Sequence, residues 1–175
     1  MKIYQLPLPQ NSIIEKALPR IDYFDVYAME TGRPVPVEQL PKLFFESFPT
    51  WFMALMGLRE TVAGWIGLKT AKGMDLRSQF KNFKGEVGDS IAIFNVMGRS
   101  EQEIMTGEND KHLDFRLSYF SRPKGTKTEI LMATTVQFNN WLGRAYFFPV
   151  KPIHRLVMPI ILRRMERRRK GGLSN

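Results

Sequence analysis

A chain of 175 residues with 43% hydrophobic and 12% aromatic content can bury one core without staples, and the absence of cysteine excludes a disulfide framework, a thiolate nucleophile and every cysteine-containing metal site. The net charge of +9 is local: residues 151–175 hold eight basic side chains against the single acid Glu166, so the first 150 residues carry only +2. A nearly neutral body with no recognised binding motif argues against nucleic acid as a partner.

The first ten residues alternate Ile3, Tyr4, Leu6 and Leu8 with Gln5 and two prolines, so they lack the apolar run of an export signal and predict a mature, cytoplasmic start. The apolar stretch 48–58 is closed by Arg59 and Glu60, well short of the ~20 residues of a membrane span. Residues 21–30 alternate Tyr23 and Asp25 with Phe24, Val26 and Ala28 between Pro19 and Gly32, which predicts a first strand.

From Val37 the period becomes helical through Leu40, Leu43, Phe44 and Ser47, and Pro49 interrupts it. Trp51, Leu55, Leu58, Val62 and Trp65 then form a continuous stripe that Phe52, Met56 and Ala63 widen, predicting a second helix buried on most of its circumference. Residues 69–86 show no sustained period and read as a long excursion with a short strand near Phe80–Phe83.

Residues 88–98, 101–107, 112–120 and 128–138 read as four more strands, for five in all and six with the short one. Gly107 to Asp110 and Pro123 to Gly125 supply turn residues between them, so neighbours are expected to be antiparallel. After Asn139 and Asn140, which suit a helix cap, residues 140–169 are helical, with Pro149, Pro152 and Pro159 expected to kink or break the run.

The expected fold is therefore α+β. A curved antiparallel sheet carries two helices after its first strand and a long kinked C-terminal helix packed on it, in a single domain over 1–175 whose residues 163–175 form a basic helix end and tail. This order resembles the helix-grip superfamily of START lipid-transfer domains, plant pathogenesis-related allergens and polyketide cyclases, in which the sheet wraps the last helix. More closely, FPTWFMALMGLRETVAGWIGL, GENDKHLDFRLS and VKPIHRLVMPIILRRM resemble the recurring blocks of a bacterial family within it, domain of unknown function 2867, across roughly residues 20–166. The resemblance implies a space between sheet and helix for a small, largely apolar molecule, and no cofactor. Members also occur behind NAD(P)-binding domains, but this chain has no G-x-G-x-x-G. The full grip has seven strands, two more than the five counted here, and the family supplies no catalytic residue to carry over.

The candidate ligand-binding residues are Trp51, Phe94, Asn95, Phe115, Tyr119, Thr134, Trp141 and His154. Aromatic side chains would supply apolar contact, and Asn95, Thr134 and His154 would orient a polar group. Either histidine would suit an acid-base enzyme of cyclase or isomerase type, the alternative to a binding module. With the apolar set Leu113, Phe115, Leu117 and Tyr119 facing the helix, His112 is expected to point to solvent, leaving His154. Two histidines without a third ligand make no metal site, and no G-x-S-x-G exposes a serine. Glu101, Glu103, Glu108 and Asp110 fall near hairpin tips, where solvation accounts for them. The tail RRMERRRK, next to Ile160, Ile161, Leu162 and Met165, suggests a third reading, an interaction module at anionic lipid surfaces.

Overall fold

The computed structural model describes residues 2–32, 34–65 and 73–171. The side chains of Val62, Ala63 and Trp65 from the predicted stripe, the start of the 69–86 excursion and the last four residues of the tail lie outside the described residues. Strands β1 (Ile3–Gln5) and β2 (Tyr23–Thr31) flank a short 3-10 turn at Ile14–Lys16, and helices α1 (Gln39–Glu46), α2 (Thr50–Trp65) and α3 (Leu76–Asn82) follow. Strands β3 (Ser90–Ile91), β4 (Phe94–Arg99), β5 (Glu103–Asn109), β6 (Leu113–Lys124) and β7 (Lys127–Phe138) lead into α4 (Trp141–Gly171).

The strands form one seven-stranded sheet in the order β1-β2-β7-β6-β5-β4-β3, and every pairing is antiparallel, as the short turns require. The count exceeds the five or six read from the sequence. β1 is only three residues long, and the 88–98 run divides at Ala92, whose φ of 53° turns the chain between β3 and β4. Phe80 belongs to α3 rather than to a strand, because Asp75 accepts from Ser78 N–H and caps a helix there.

One face of the sheet carries the main core. Tyr27, Met132, Tyr119 and Ile104 stand side by side across β2, β7, β6 and β5, and Val157, Met158, Ile161, Leu162 and Met165 of α4 cover the same cluster with Leu40 and Phe44 of α1. Each such side chain withdrawn from water contributes about 1.5–3 kcal/mol. Because Ile161, Leu162 and Met165 are spent in this core, they are not available beside the basic tail as the lipid reading supposed.

The other face is closed by the N-terminal segment, in which Ile14 packs on Val26, Ala28, Met105, Leu131 and Ala133, with Leu6 and Leu8 alongside. Glu103 pins this strap: its carboxylate accepts from the Ile13 and Ile14 N–H groups at 2.6 and 3.2 Å and from the Ser118 hydroxyl at 2.6 Å. Glu103 is therefore buried, not solvated at a hairpin tip. Gly107 likewise lies inside β5, not in the turn. A Cβ there would fall 2.3 Å from the Phe115 carbonyl oxygen, so glycine answers a close approach. Gly125, at φ 60°, sits in the two-residue reversal between Lys124 and Lys127, where a left-handed first position favours it.

Helix α4 opens on Asn140, whose side-chain oxygen accepts from Gly143 N–H at 3.2 Å, and runs unbroken through all three prolines. Each proline withholds a donor from the carbonyl four residues earlier, on Ala145, Phe148 and Arg155. All three of those residues are exposed, so water can satisfy the carbonyls and the helix need not break. Helix α2 departs from expectation: Trp51, Met53 and Leu58 are exposed, so it is not buried on most of its circumference.

Candidate functional site

Asp25 and Thr134 are direct cross-strand partners on β2 and β7, and both side chains are buried where α4 passes over the sheet. From α4, His154 places Nδ1 2.9 Å from Asp25 Oδ2 and Nε2 3.4 Å from Thr134 Oγ1. Tyr23, two residues before Asp25 and therefore on the same strand face, donates its hydroxyl to Oδ2 at 2.5 Å. Asp25 Oδ1 is buried with no hydrogen-bond partner among the described residues.

Burial is the largest influence on Asp25 and favours the neutral acid. The hydrogen bond and charge of His154, together with the Tyr23 hydroxyl, outweigh it and hold the carboxyl below its usual range. Tyr23 moves the other way, raised by burial and then by the adjacent carboxylate, so it stays protonated and donates. An ionised Asp25 offers only lone pairs, so the His154 nitrogen that faces it, Nδ1, carries a hydrogen, and Nε2 is the nitrogen left to exchange a proton. The order carboxylate, imidazole, hydroxyl is one that can move a proton, although 3.4 Å is a long hydrogen bond. Lys151 and Arg155 stand over the Tyr23 ring at 5.5 and 5.9 Å, which puts positive charge at the rim.

The second histidine is not at the surface. His112 is 2% exposed, with its ring edge-on to Tyr146 of α4 at 5.0 Å and Nδ1 3.5 Å from Asp110. The strand alternation that predicted otherwise does not reach it, because β6 begins at Leu113 and His112 belongs to the turn. Burial lowers its pKa despite the opposing carboxylate of Asp110. Arg59 of α2 donates to the Tyr146 hydroxyl at 2.9 Å, joining α2 to this group.

The remaining predicted residues separate. Phe94 and Phe115 meet at 5.3 Å between ring centroids, and Phe94 also meets Phe45 of α1 at 4.9 Å. Asn95 follows Phe94 on the strand and turns away from it; its amide donates to Glu108 at 2.8 Å. Tyr119 is fully enclosed in the core. Trp51 and Trp141 project outward, so they do not share a lining with the others. Of the predicted set, Thr134 and His154 converge in one group and Phe94 and Phe115 in another. Asp25 and Tyr23 were overlooked, although a carboxylate at the middle of an apolar strand, flanked at two-residue spacing by Tyr23 and Tyr27, is a legible mark of a buried polar site.

Two clefts open elsewhere. One of about 260 Å³ is lined by Arg163, Glu166, Arg167 and Lys170, and one of about 280 Å³ lies along the β6–β7 hairpin near Arg122 and Thr128. Among the described residues, no three of His, Asp and Glu converge as a metal-holding group, and no helix is long and apolar enough to cross a membrane.

Searches of the curated proteins and of the solved structures return no match. Residues 17–161 match the model of a family described as "Protein of unknown function (DUF2867)", and the chain belongs to that family.

Proposed function

We propose that the chain is a cytoplasmic helix-grip domain of bacterial type that binds a small, largely apolar molecule on the helix-bearing side of its sheet. The observation that supports this is a set of half-buried phenylalanines, Phe45, Phe48, Phe52, Phe80, Phe94 and Phe115, whose ring contacts branch from Phe45 of α1 to α2, to α3, and through β4 to β6. Six aromatic rings left partly open to water form an apolar wall that a ligand would complete. Native mass spectrometry of freshly purified protein tests it, with binding of an apolar fluorescent probe as the second measurement. Phe115→Ala is expected to weaken the probe by about ten-fold or more, the loss of one aromatic contact. A protein that carries no small molecule and binds no probe would remove this reading.

A second reading rests on a different observation. The Asp25–His154 pair supports acid-base chemistry of the cyclase or isomerase kind, with Nε2 as the proton carrier and Asp25 holding the ring. The co-purified molecule, once identified, is the substrate to try. Loss of its turnover in His154→Gln with binding retained would favour an enzyme, and turnover unchanged in that variant would leave the binding module alone.

A further inference from the structure

The outward side of α4 between Trp141 and Pro159 is apolar. Trp141, Phe148 and Leu156 are 77%, 83% and 62% exposed, with Ala145, Pro149 and Pro152 also exposed between them. Their spacing puts them on one side of the helix, opposite Phe147, Val157, Met158 and Ile161, which face the sheet. Along one border of this ridge run Arg144, Lys151 and Arg155, all exposed. From 141 to 165 the helix has five Lys and Arg residues and no Asp or Glu.

We propose that this face of α4 docks on an anionic membrane surface, with Trp141, Phe148 and Leu156 entering at headgroup level and Arg144, Lys151 and Arg155 meeting lipid phosphates. Charge selects the occupant. A second copy of the same face would set three cations against three cations with no acid on the helix between 141 and 165, and the next acid along it, Glu166, is already held by Arg169 at 2.8 Å. Anionic headgroups meet every cation on the border, while the long Lys and Arg stems lie along the apolar ridge. The prolines fix the depth. They leave the carbonyls of Ala145, Phe148 and Arg155 without helical donors on this side, and those groups need water, which the headgroup layer supplies and the hydrocarbon does not. Helix α4 therefore lies on the surface and does not enter it.

This inference is independent of the phenylalanine wall, which is on the sheet side. It relocates the lipid contact from the tail, whose apolar neighbours are core residues, to the first half of the helix. The test is co-sedimentation of the full chain with phosphatidylcholine vesicles, with and without phosphatidylglycerol, across a salt series, and sedimentation velocity without lipid. The protein is expected to bind only the phosphatidylglycerol vesicles and to release as salt rises. The double variant W141S/F148S, at positions that support no core, is expected to lose about ten-fold or more in affinity, while V87S, at an exposed apolar residue elsewhere, is not. No binding to phosphatidylglycerol vesicles, or equal binding by W141S/F148S, overturns the proposal. A dimer that F148S disperses overturns it too, in favour of a second copy on this face.

Discussion

His154 and Asp25 are separated by 129 residues of chain and by 2.9 Å in space, joining the helix that closes the fold to the second strand of its sheet. The pair secures α4 to β2 whatever chemistry it performs, because an imidazole N–H that lost this carboxylate would remain half-buried without an acceptor.

Asp25→Asn is expected to lower stability by about 1–3 kcal/mol at neutral pH, the cost of weakening a charge-assisted hydrogen bond in a buried site. The sign with pH follows from the depressed carboxyl. Its contribution is complete above the unfolded carboxylate pKa and is lost as pH falls through the lower folded value. Denaturant titrations from neutral to acid pH should show a shallower decline in the variant than in the parent.

Glu129 offers a sharper acid test. Burial disfavours its charge, but hydrogen bonds from Lys124 at 2.7 Å, Tyr4 at 2.6 Å and Arg122 at 2.8 Å outweigh it and bring the carboxyl from 4.5 to about 2. Its stabilisation is therefore present above pH 4.5 and drains away toward pH about 2. Glu129→Gln should flatten the fall in melting temperature across that window, and a variant that tracks the parent through it would show that the ion cluster is energetically idle.

Glu103→Ala should release the N-terminal strap, since two backbone N–H groups and the Ser118 hydroxyl lose their acceptor together. The expected cost is about 1–3 kcal/mol, with hydrogen exchange accelerating first in residues 6–18. Equal protection of that segment in both proteins would mean that apolar packing alone holds it.

Two helical glycines should respond in opposite directions. A Cβ on Gly143 of α4 would lie 2.0 Å from the His112 carbonyl oxygen, whereas one on Gly57 of α2 meets nothing within 4 Å. Gly143→Ala should destabilise by about 1–3 kcal/mol, and Gly57→Ala should stabilise by about 0.5–1 kcal/mol through helix propensity. Thermal melts of the two variants decide both.

Which parts of this were readable beforehand depended on how far a pattern extends. Strands β2 and β6 are long enough for period two to show, β7 is marked by its β-branched residues, and the Asn140 cap is local, so all were visible. β1 has too few residues to show a period and exists because Tyr4 pairs with Ala28. Glu103 looked like a solvated acid because the backbone it caps is 89 residues away. His112 looked exposed because alternation was extended one residue past the strand, whereas α4 covers it with Tyr146 against its ring and Gly143 close to its carbonyl. Asp25 was placed correctly on its strand, but its partner could not be named without knowing where α4 crosses the sheet.

The strap held by Glu103 has a further bearing on where this protein can be cut. The segment shared with the family runs from 17 to 161, whereas Leu6, Leu8 and Ile14 precede it and Leu162 and Met165 follow it. A fragment trimmed to the shared borders would bare Val26, Ala28, Leu131 and Ala133 on one side of the sheet and thin the core on the other. Such a fragment is expected to aggregate, because an apolar sheet face left bare invites another molecule to cover it. In this chain the folding unit is wider than the recognisable one, and expression boundaries drawn by resemblance would fall inside it.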